Sequence, residues 1–242
     1  MTTYVLSDIH GNLHNFNSIL EDIQLTVNDS LYILGDVIDR FPHGIQILQT
    51  LMRMPNAHML LGNHEYMMLN ALGVPYEAET TLNAFQVNNA RKLWYCNGGQ
   101  VTHQAWKNLS TDEQNEIICY LKGLPLNIDV EVCSRNFKLV HGAATEFYDT
   151  YSIFIKENRT EFCVWDRDSI FGMADQKDCT IIFGHTSTAT LQDENPQRIF
   201  YYKNMIGIDC GSGWPAPDKI NSIQGCLACL RLEDMKEFYS VL

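Results

Sequence analysis

Three short apolar runs near the start of the chain are each followed at once by a polar segment rich in Asp, His, Asn and Gly. The runs are Tyr4–Leu6, Leu31–Leu34 and Ala57–Leu61, and the segments that follow them read SDIHGN, GDVIDR and GNHEY. Apolar residues at helical spacing separate the runs, from Leu13 to Ile23 and from Ile45 to Met52, which predicts strand–helix–strand units. Parallel strands end at one edge of a sheet, and ligands bind beyond that edge. We therefore expect the three polar segments to share one site.

The rest of the chain predicts helices first and strands afterwards. Residues from Glu65 to Lys122 read as helices. Seven later runs read as strands: Leu126–Val132, Phe137–Val140, Thr180–Phe183, Ile199–Tyr202, Met205–Ile208, Cys226–Leu230 and Phe238–Leu242. Two of these strands also end in histidine, at His141 in LVHG and at His185 in FGH. Two sheets packed face to face, with helices outside, would bring all five strand ends to one edge. We expect a single domain spanning residues 1–242.

The composition indicates a globular protein with an acidic surface. Of the 242 residues, 45% are hydrophobic and 19% are charged, and the formal net charge is −12. That charge argues against nucleic acid or anionic membranes as partners, and no run approaches the ~18 apolar residues of a membrane span. The start MTTYVLSDIHGN predicts neither a signal peptide nor a transit sequence. Eight cysteines in no regular framework are expected to be reduced thiols, which favours a cytoplasmic location.

Hard oxygen donors and imidazoles collect in these five polar segments. They suit two divalent first-row metal ions such as Mn, Fe or Zn, and the candidate ligands are Asp8, His10, Asp36, Asn63, His141 and His185. An extended backbone at Asp8-Ile9-His10 would place the two polar side chains on one face and Ile9 in the core. A central Asp36 could bridge both ions. Ions held ~3.5–4 Å apart can activate a hydroxide and clamp a phosphoryl group.

A lone Asp-x-His pair, or one histidine after a strand, is weak evidence of a metal site. Such histidines are more often structural or exposed, and this interpretation is preferred for His14, His43, His58 and His103, which lie in no comparable context. Five Asp/His/Asn segments in order, each at the end of a predicted strand, are far less compatible with chance.

The series SDIHG, GDVIDR, GNHE, LVHG and FGH resembles the calcineurin-like metallophosphoesterases, and within them the phosphoprotein-phosphatase branch typified by lambda phosphatase. The likeness extends over nearly the whole chain and includes the segments Trp94–Gly99, Trp165–Arg167 and Ile208–Gly211. It implies an α/β (α+β) fold, namely a four-layer αββα sandwich of two mixed sheets flanked by helices. The chain departs from the family pattern at Ser7, Phe41, Leu61 and Ala143. None of these departures removes a ligand, and those at Phe41 and Leu61 leave the details of the substrate pocket open.

The resemblance also implies a role for each residue of the site. One metal ion would be held by Asp8, His10 and Asp36, and the second by Asp36, Asn63, His141 and His185. His64 would be the general acid that protonates the departing oxygen, with Asp39 orienting its imidazole and holding it protonated. Arg40 and Arg167 would grip the phosphate oxygens. Trp214 would line the substrate pocket, with plain packing as the alternative.

The activity implied by the resemblance is that of a phosphatase with two divalent ions, manganese being expected and iron or zinc being the alternatives. The main expectation is a phosphomonoesterase in which a hydroxide held between the ions attacks phosphoserine or phosphothreonine, with phosphotyrosine as a further option. Its partners would be phosphoproteins or phosphopeptides, and small phosphomonoesters would serve in vitro. The physiological substrate and the oligomeric state stay open.

Two alternatives to a protein phosphatase remain. The runner-up enzyme is a nucleotide hydrolase of the diadenosine-tetraphosphate type, although such enzymes of the symmetrical type usually lack an acid at the position of Asp39. The other alternative, from a different class, is an adaptor that keeps the fold without catalysis. The presence of His64, Asp39 and all six candidate ligands argues against an adaptor, because a binding module has no need of a protonated leaving-group histidine.

Overall fold

Two five-stranded sheets form the centre of the protein in the computed structural model, which describes residues 1–77, 81–174, 178–214 and 225–241. In chain order the strands are β1 (Thr3–Leu6), β2 (Ser30–Ile33), β3 (Ala57–Met59), β4 (Asn127–Val132), β5 (Arg135–Val140), β6 (Thr180–Phe183), β7 (Phe200–Tyr202), β8 (Met205–Gly207), β9 (Ala228–Arg231) and β10 (Lys236–Tyr239). The first sheet has the order β10-β9-β1-β2-β3 and the second has the order β4-β5-β6-β8-β7. In each sheet three neighbouring strands are parallel, β1-β2-β3 in the first and β5-β6-β8 in the second, and the other pairs are antiparallel. Both sheets are therefore mixed.

The central strands bury side chains on both of their faces. Val5 packs between the two sheets, in a cluster that contains Leu139 and Ile182 of the second sheet. Its neighbour Leu6 points to the other face of the first sheet and packs with Phe16 of the following helix. Because strands covered on both faces need no polar side, they read in the sequence as continuous apolar runs.

The outer face of the second sheet is covered as well. Val140 and Ile181 pack there with Ala144, Ile170 and Ala174, which lie in the segment that connects β5 to β6. The layers are thus helices, sheet, sheet and helical segments, which confirms the expected four-layer mixed fold.

Eight α-helices lie in the part of the chain that the structure describes: α1 (Leu13–Ile23), α2 (Gly44–Arg53), α3 (Asn63–Ala71), α4 (Ala84–Cys96), α5 (Gln100–Trp106), α6 (Thr111–Lys122), α7 (Thr145–Tyr151) and α8 (Arg159–Trp165). Local capping sets several of their starts. The Asn12 side chain accepts a hydrogen bond from the N–H of Asn15, and Ser110 and Glu113 form a reciprocal capping box at α6. Three helices begin soon after a strand of the first sheet, so the polar segments form strand-to-helix turns.

The predicted strands and the helices up to residue 122 are confirmed, with boundaries that differ by a few residues. The last predicted strand starts and ends earlier than expected, at Lys236–Tyr239, and Leu242 lies outside the described residues. Helices α7 and α8 were not predicted. Within the described residues no helix is long and apolar enough to cross a membrane, and all eight cysteines are free thiols.

Candidate functional site

Five strand ends meet at one edge of the two sheets, and the polar residues that follow them converge there. Strand β1 leads to Asp8 and His10, β2 leads to Asp36, β3 to Asn63, β5 to His141 and β6 to His185. The N–H of His185 donates a hydrogen bond to Asp8 Oδ2 at 3.0 Å, which links the second sheet to the first. All six predicted ligands are nearly inaccessible to solvent. The structure therefore brings together every residue of the predicted ligand set.

One group of donors lies around His10. The Nε2 atom of His10 is 3.7 Å from Asp8 Oδ1 and 3.7 Å from Asp36 Oδ2. One ligand atom each from His10, Asp36 and His64 lie within 4.8 Å of one another. His64 thus faces the same point as these ligands, although the sequence predicted a different role for it.

A second group of donors lies around His141. Its Nε2 atom is 3.0 Å from Asn63 Oδ1 and 3.5 Å from Asp36 Oδ1. Ligand atoms of Asp36, His141 and His185 lie within 4.8 Å of one another. Asp36 belongs to both groups and turns one carboxylate oxygen to each. This is the geometry expected of a carboxylate that bridges two ions.

The three histidines of the predicted ligand set use their other ring nitrogen to contact a backbone carbonyl. His10 Nδ1 lies 3.1 Å from the Ile38 oxygen, His141 Nδ1 lies 2.6 Å from the Leu34 oxygen, and His185 Nε2 lies 3.0 Å from the Trp165 oxygen; all three contacts are hydrogen bonds. A carbonyl only accepts, so the nitrogen facing it must carry the proton. The inward nitrogen is then a lone-pair donor, the arrangement that metal-binding histidines use. The donor set therefore fits two divalent ions.

The backbone at the site is left-handed at several residues that are not glycine. Asp8 has φ 56°, His10 has φ 52°, Asp36 has φ 55° and His185 has φ 60°. The predicted extended segment at Asp8–His10 is therefore wrong, although its consequence holds, since the two side chains meet. Such conformations cost free energy and are held only where the surroundings enforce them. The tight turns aim the side chains at one point.

His64 lies beside the ligand groups in a different environment. Its Nδ1 atom is 2.6 Å from Asp39 Oδ2, and the same oxygen accepts a hydrogen bond from Trp94 Nε1 at 2.8 Å. Burial disfavours a charged imidazole, but the carboxylates of Asp36 and Asp39 outweigh that effect and raise the pKa of His64. His64 is thus set up to carry a proton, with Nε2 turned toward the centre.

The two predicted phosphate-binding arginines lie beside different histidines of the site. Arg40 Nη2 is 3.4 Å from His64 Nε2. Arg167 Nη1 donates hydrogen bonds to the His185 carbonyl and to Thr186 Oγ1. Both guanidinium groups therefore adjoin the ligand groups.

Trp214 is half-buried on the turn that begins at Gly211. Its N–H donates to the Gly211 carbonyl at 2.9 Å, and a Cβ at Gly211 would lie 3.0 Å from the Trp214 ring. The preceding Gly213 packs on His10, where a Cβ would lie 2.3 Å from the imidazole. The loop thus borders the site, and the pocket role of Trp214 stays a prediction.

Glu65 is a functional residue that the sequence analysis missed. Its buried carboxylate accepts hydrogen bonds from the N–H groups of Asp36, Val37, Ile38 and Gly62, at 2.9 to 3.3 Å. It therefore fixes the turn that carries the shared ligand Asp36. The available signal was its spacing, since an acid three residues after the residue that caps a helix can bond back to the turn.

Comparison with known proteins gives a family and several relatives. The family model for calcineurin-like phosphoesterases matches residues 1–205. A symmetrical bis(5'-nucleosyl)-tetraphosphatase of Nitrosomonas europaea is 24% identical over 287 aligned positions, which cover 98% of this chain and 97% of that protein. One from Erwinia tasmaniensis is also 24% identical, over 64% of this chain, and the match spans 56% of that protein's length.

Solved structures share the fold at low identity. A structure assigned as a diadenosine tetraphosphatase superposes with a TM-score of 0.60 at 16% identity and covers 98% of this chain and 92% of its own. A protein serine/threonine phosphatase from Saccharomyces cerevisiae also gives a TM-score of 0.60, at 14% identity, with 100% of this chain and 81% of its own. At these identities the likeness shows the fold and leaves the substrate undecided.

Proposed function

This chain belongs to the calcineurin-like phosphoesterase family, and on that premise we propose that it hydrolyses phosphoanhydride bonds in a nucleotide of the bis(5'-nucleosyl) tetraphosphate kind. The observation that carries the proposal is the alignment to the Nitrosomonas tetraphosphatase, which extends over nearly the full length of both chains. The comparisons thus favour the runner-up of the sequence analysis over the expected protein phosphatase.

Two divalent ions fit the donor groups described above. Asp36 would contribute to both sites; the first would be completed by Asp8 and His10, and the second by Asn63, His141 and His185. Such a pair of ions supplies a nucleophile at neutral pH and charge stabilisation for a phosphoryl group in displacement. The oxygen, amide and imidazole donors suit manganese, iron or zinc, with manganese kept as the first choice.

The residues around the ions would bind and orient the reacting phosphate. Arg40 and Arg167 would bind the phosphate oxygens through their guanidinium groups, and this binding strengthens as negative charge develops in the transition state. The contacts of Arg167 with the His185 carbonyl and Thr186 hold it close to the second donor group. His64, with Nε2 directed inward, would give a proton to the departing oxygen.

A phosphomonoesterase is the second candidate, and the contact between His64 and Asp39 favours it. A serine alkoxide is strongly basic and needs a proton as it leaves, whereas a nucleoside diphosphate is a much weaker base. The 2.6 Å contact with Asp39 keeps His64 protonated and oriented, so that it can donate a proton to the leaving oxygen. Such a donor would accelerate the hydrolysis of an alkyl phosphate ester most.

The two candidates are separated by one set of assays on the manganese-reconstituted chain. Diadenosine tetraphosphate and peptides carrying phosphoserine, phosphothreonine or phosphotyrosine would be compared by kcat/KM under identical conditions. We expect the dinucleotide to give the highest value, with adenosine diphosphate as its product. A higher value for any phosphopeptide would replace the proposal with the second candidate, and turnover of none of them by fully loaded protein would favour an adaptor.

A further inference from the structure

A cavity of about 420 Å³ adjoins the second donor group. Its aromatic walls are Phe154, Phe162 and Trp165, and its polar lining includes Asp166, Arg167 and Asp168. The volume lies within the range of about 300–1,000 Å³ that is usual for small-molecule sites. The cavity has a size and lining suited to one flat ring system with polar substituents.

The wall of this cavity is shared with the candidate catalytic centre. The Trp165 carbonyl holds His185 Nε2 at 3.0 Å, and the Trp165 ring meets the His185 ring edge-on with centroids 5.9 Å apart. Arg167 lines the cavity and is bonded to the His185 carbonyl. A molecule in the cavity whose phosphate reached Arg167 would therefore have that phosphate beside the metal ligands.

The charges of the lining are arranged for a neutral group that donates hydrogen bonds and carries a phosphate at one end. Among the described lining residues Arg167 is the cation, and Glu157, Asp166 and Asp168 are carboxylates. Carboxylates accept hydrogen bonds from ribose hydroxyls and from an exocyclic amine, whereas they repel a phosphate group or an acidic peptide placed among them. The aromatic walls offer faces on which a base can stack.

We propose that this cavity is a nucleoside subsite, in which a purine base stacks on the aromatic walls while the phosphate chain of the nucleotide extends from the ribose to Arg167. The inference rests on the proposed function and deepens it. It assigns the recognition of the base and ribose to Trp165, Phe154 and the neighbouring carboxylates.

The test measures inhibition rather than turnover of the natural substrate, so that the subsite and the proposed function can fail separately. Manganese-reconstituted full-length chain would hydrolyse p-nitrophenyl phosphate in the presence of inorganic phosphate, ribose 5-phosphate, phosphotyrosine or adenosine monophosphate. The quantity compared is the ratio of the inhibition constant of phosphate to that of each larger molecule. This ratio cancels changes that affect the metal centre alone. We expect adenosine monophosphate to bind about 10-fold tighter than phosphate or more, as base stacking on aromatic rings implies.

Two variants locate the preference. Phe154→Ala and Trp165→Ala should each lower the ratio toward 1, because each removes a stacking surface. Phe154 is 78% exposed, so its loss leaves the core intact, and Phe85→Ala is the matched control because Phe85 is 73% exposed and lies outside the cavity, on α4. The control should keep the wild-type ratio.

Three results would overturn the subsite. Adenosine monophosphate could bind no tighter than phosphate, or phosphotyrosine could show the larger ratio, which would assign the cavity to an aromatic side chain. The ratio could also stay unchanged in both variants and fall instead in Phe41→Ala, since Phe41 lines a separate cavity of about 520 Å³. Hydrolysis of diadenosine tetraphosphate, measured separately, decides the proposed function independently of these outcomes.

Discussion

The candidate site contains two regions whose buried histidines differ in their hydrogen-bond partners. In the ligand region, the outer ring nitrogens of His10, His141 and His185 are hydrogen-bonded to backbone carbonyls. In the acid region, the outer ring nitrogen of His64 is hydrogen-bonded to the Asp39 carboxylate. Burial, with nearby cations, keeps the pKa of His10 and His185 well below the usual value, whereas Asp36 and Asp39 raise the pKa of the equally buried His64.

The partner of the outer ring nitrogen distinguishes the two kinds of histidine. A carbonyl fixes the tautomer without adding charge, which leaves a neutral ring whose inner lone pair is free to bind an ion. A carboxylate adds a full negative charge and favours the protonated ring. Burial is shared by both regions, so burial alone does not distinguish a ligand from an acid.

Loss of the shared carboxylate should have the largest effect, because it removes a donor from both groups of the ligand region. Asp36→Asn is expected to leave no measurable turnover, since even loss of an outer partner of a metal ligand typically costs 10–100-fold. Elemental analysis should find fewer than two ions per chain. Asp22→Asn, an exposed change on α1, is the control and should keep both ions. A fully loaded, active Asp36→Asn protein would contradict the two-ion arrangement.

Replacement of the acid-region histidine should have a smaller effect that depends on the leaving group. His64→Ala should reduce kcat for a phosphoserine peptide about 10²–10⁴-fold, the usual range for a positioned proton donor. It should reduce kcat for p-nitrophenyl phosphate distinctly less, because a nitrophenolate leaves without a proton. His58→Ala, at an exposed histidine of β3, should change neither value. If His64→Ala reduced kcat equally for both substrates while both ions stayed bound, His64 would be a positioning group and would belong with the ligand region.

The sequence predicted most of the fold and of the ligand set for a common physical reason. Strands covered on both faces are apolar throughout, so their ends stand out where Asp8, Asp36 and Asn63 begin the polar segments. Lone histidines such as His141 and His185 became interpretable because each follows such a strand.

The remaining features depend on contacts between distant segments or belong to elements too short to give a clear pattern. The left-handed turns at Asp8 and His10 depend on neighbouring segments, including a bond from the Asp8 N–H to the Gly35 carbonyl. The role of Glu65 depends on N–H groups 27 to 29 residues away in the chain. Helices α7 and α8 are each seven residues long, which is too short to give a clear apolar period.

The smallest expected effect concerns Trp94, which is a candidate third member of the acid region beside His64 and Asp39. Trp94 is fully buried, and its Nε1–H donates to the same Asp39 oxygen that faces His64. Gly99 is needed beside it, because a Cβ there would lie 2.4 Å from the indole ring. Asp39 Oδ1 has no hydrogen-bond partner among the described residues. The carboxylate therefore depends on Oδ2, where the indole and His64 both bind.

Trp94→Phe keeps an aromatic ring in the core but removes the indole donor. Loss of a hydrogen bond to a charged group should lower the free energy of unfolding by about 1.5–3 kcal/mol, measured by denaturant titration followed by circular dichroism. Trp106→Phe is the matched control, since Trp106 is buried in the same core cluster without a bond to Asp39.

If the indole of Trp94 also holds Asp39 in place for His64, kcat for a phosphoserine peptide should fall in Trp94→Phe by about 10-fold or less, which is below the range for a lost proton donor. The kcat for p-nitrophenyl phosphate should hardly change. Trp106→Phe should lose stability without changing the ratio of the two substrates. If Trp94→Phe also left the ratio of the two kcat values unchanged, Trp94 would act only in packing, and the acid region would consist of His64 and Asp39.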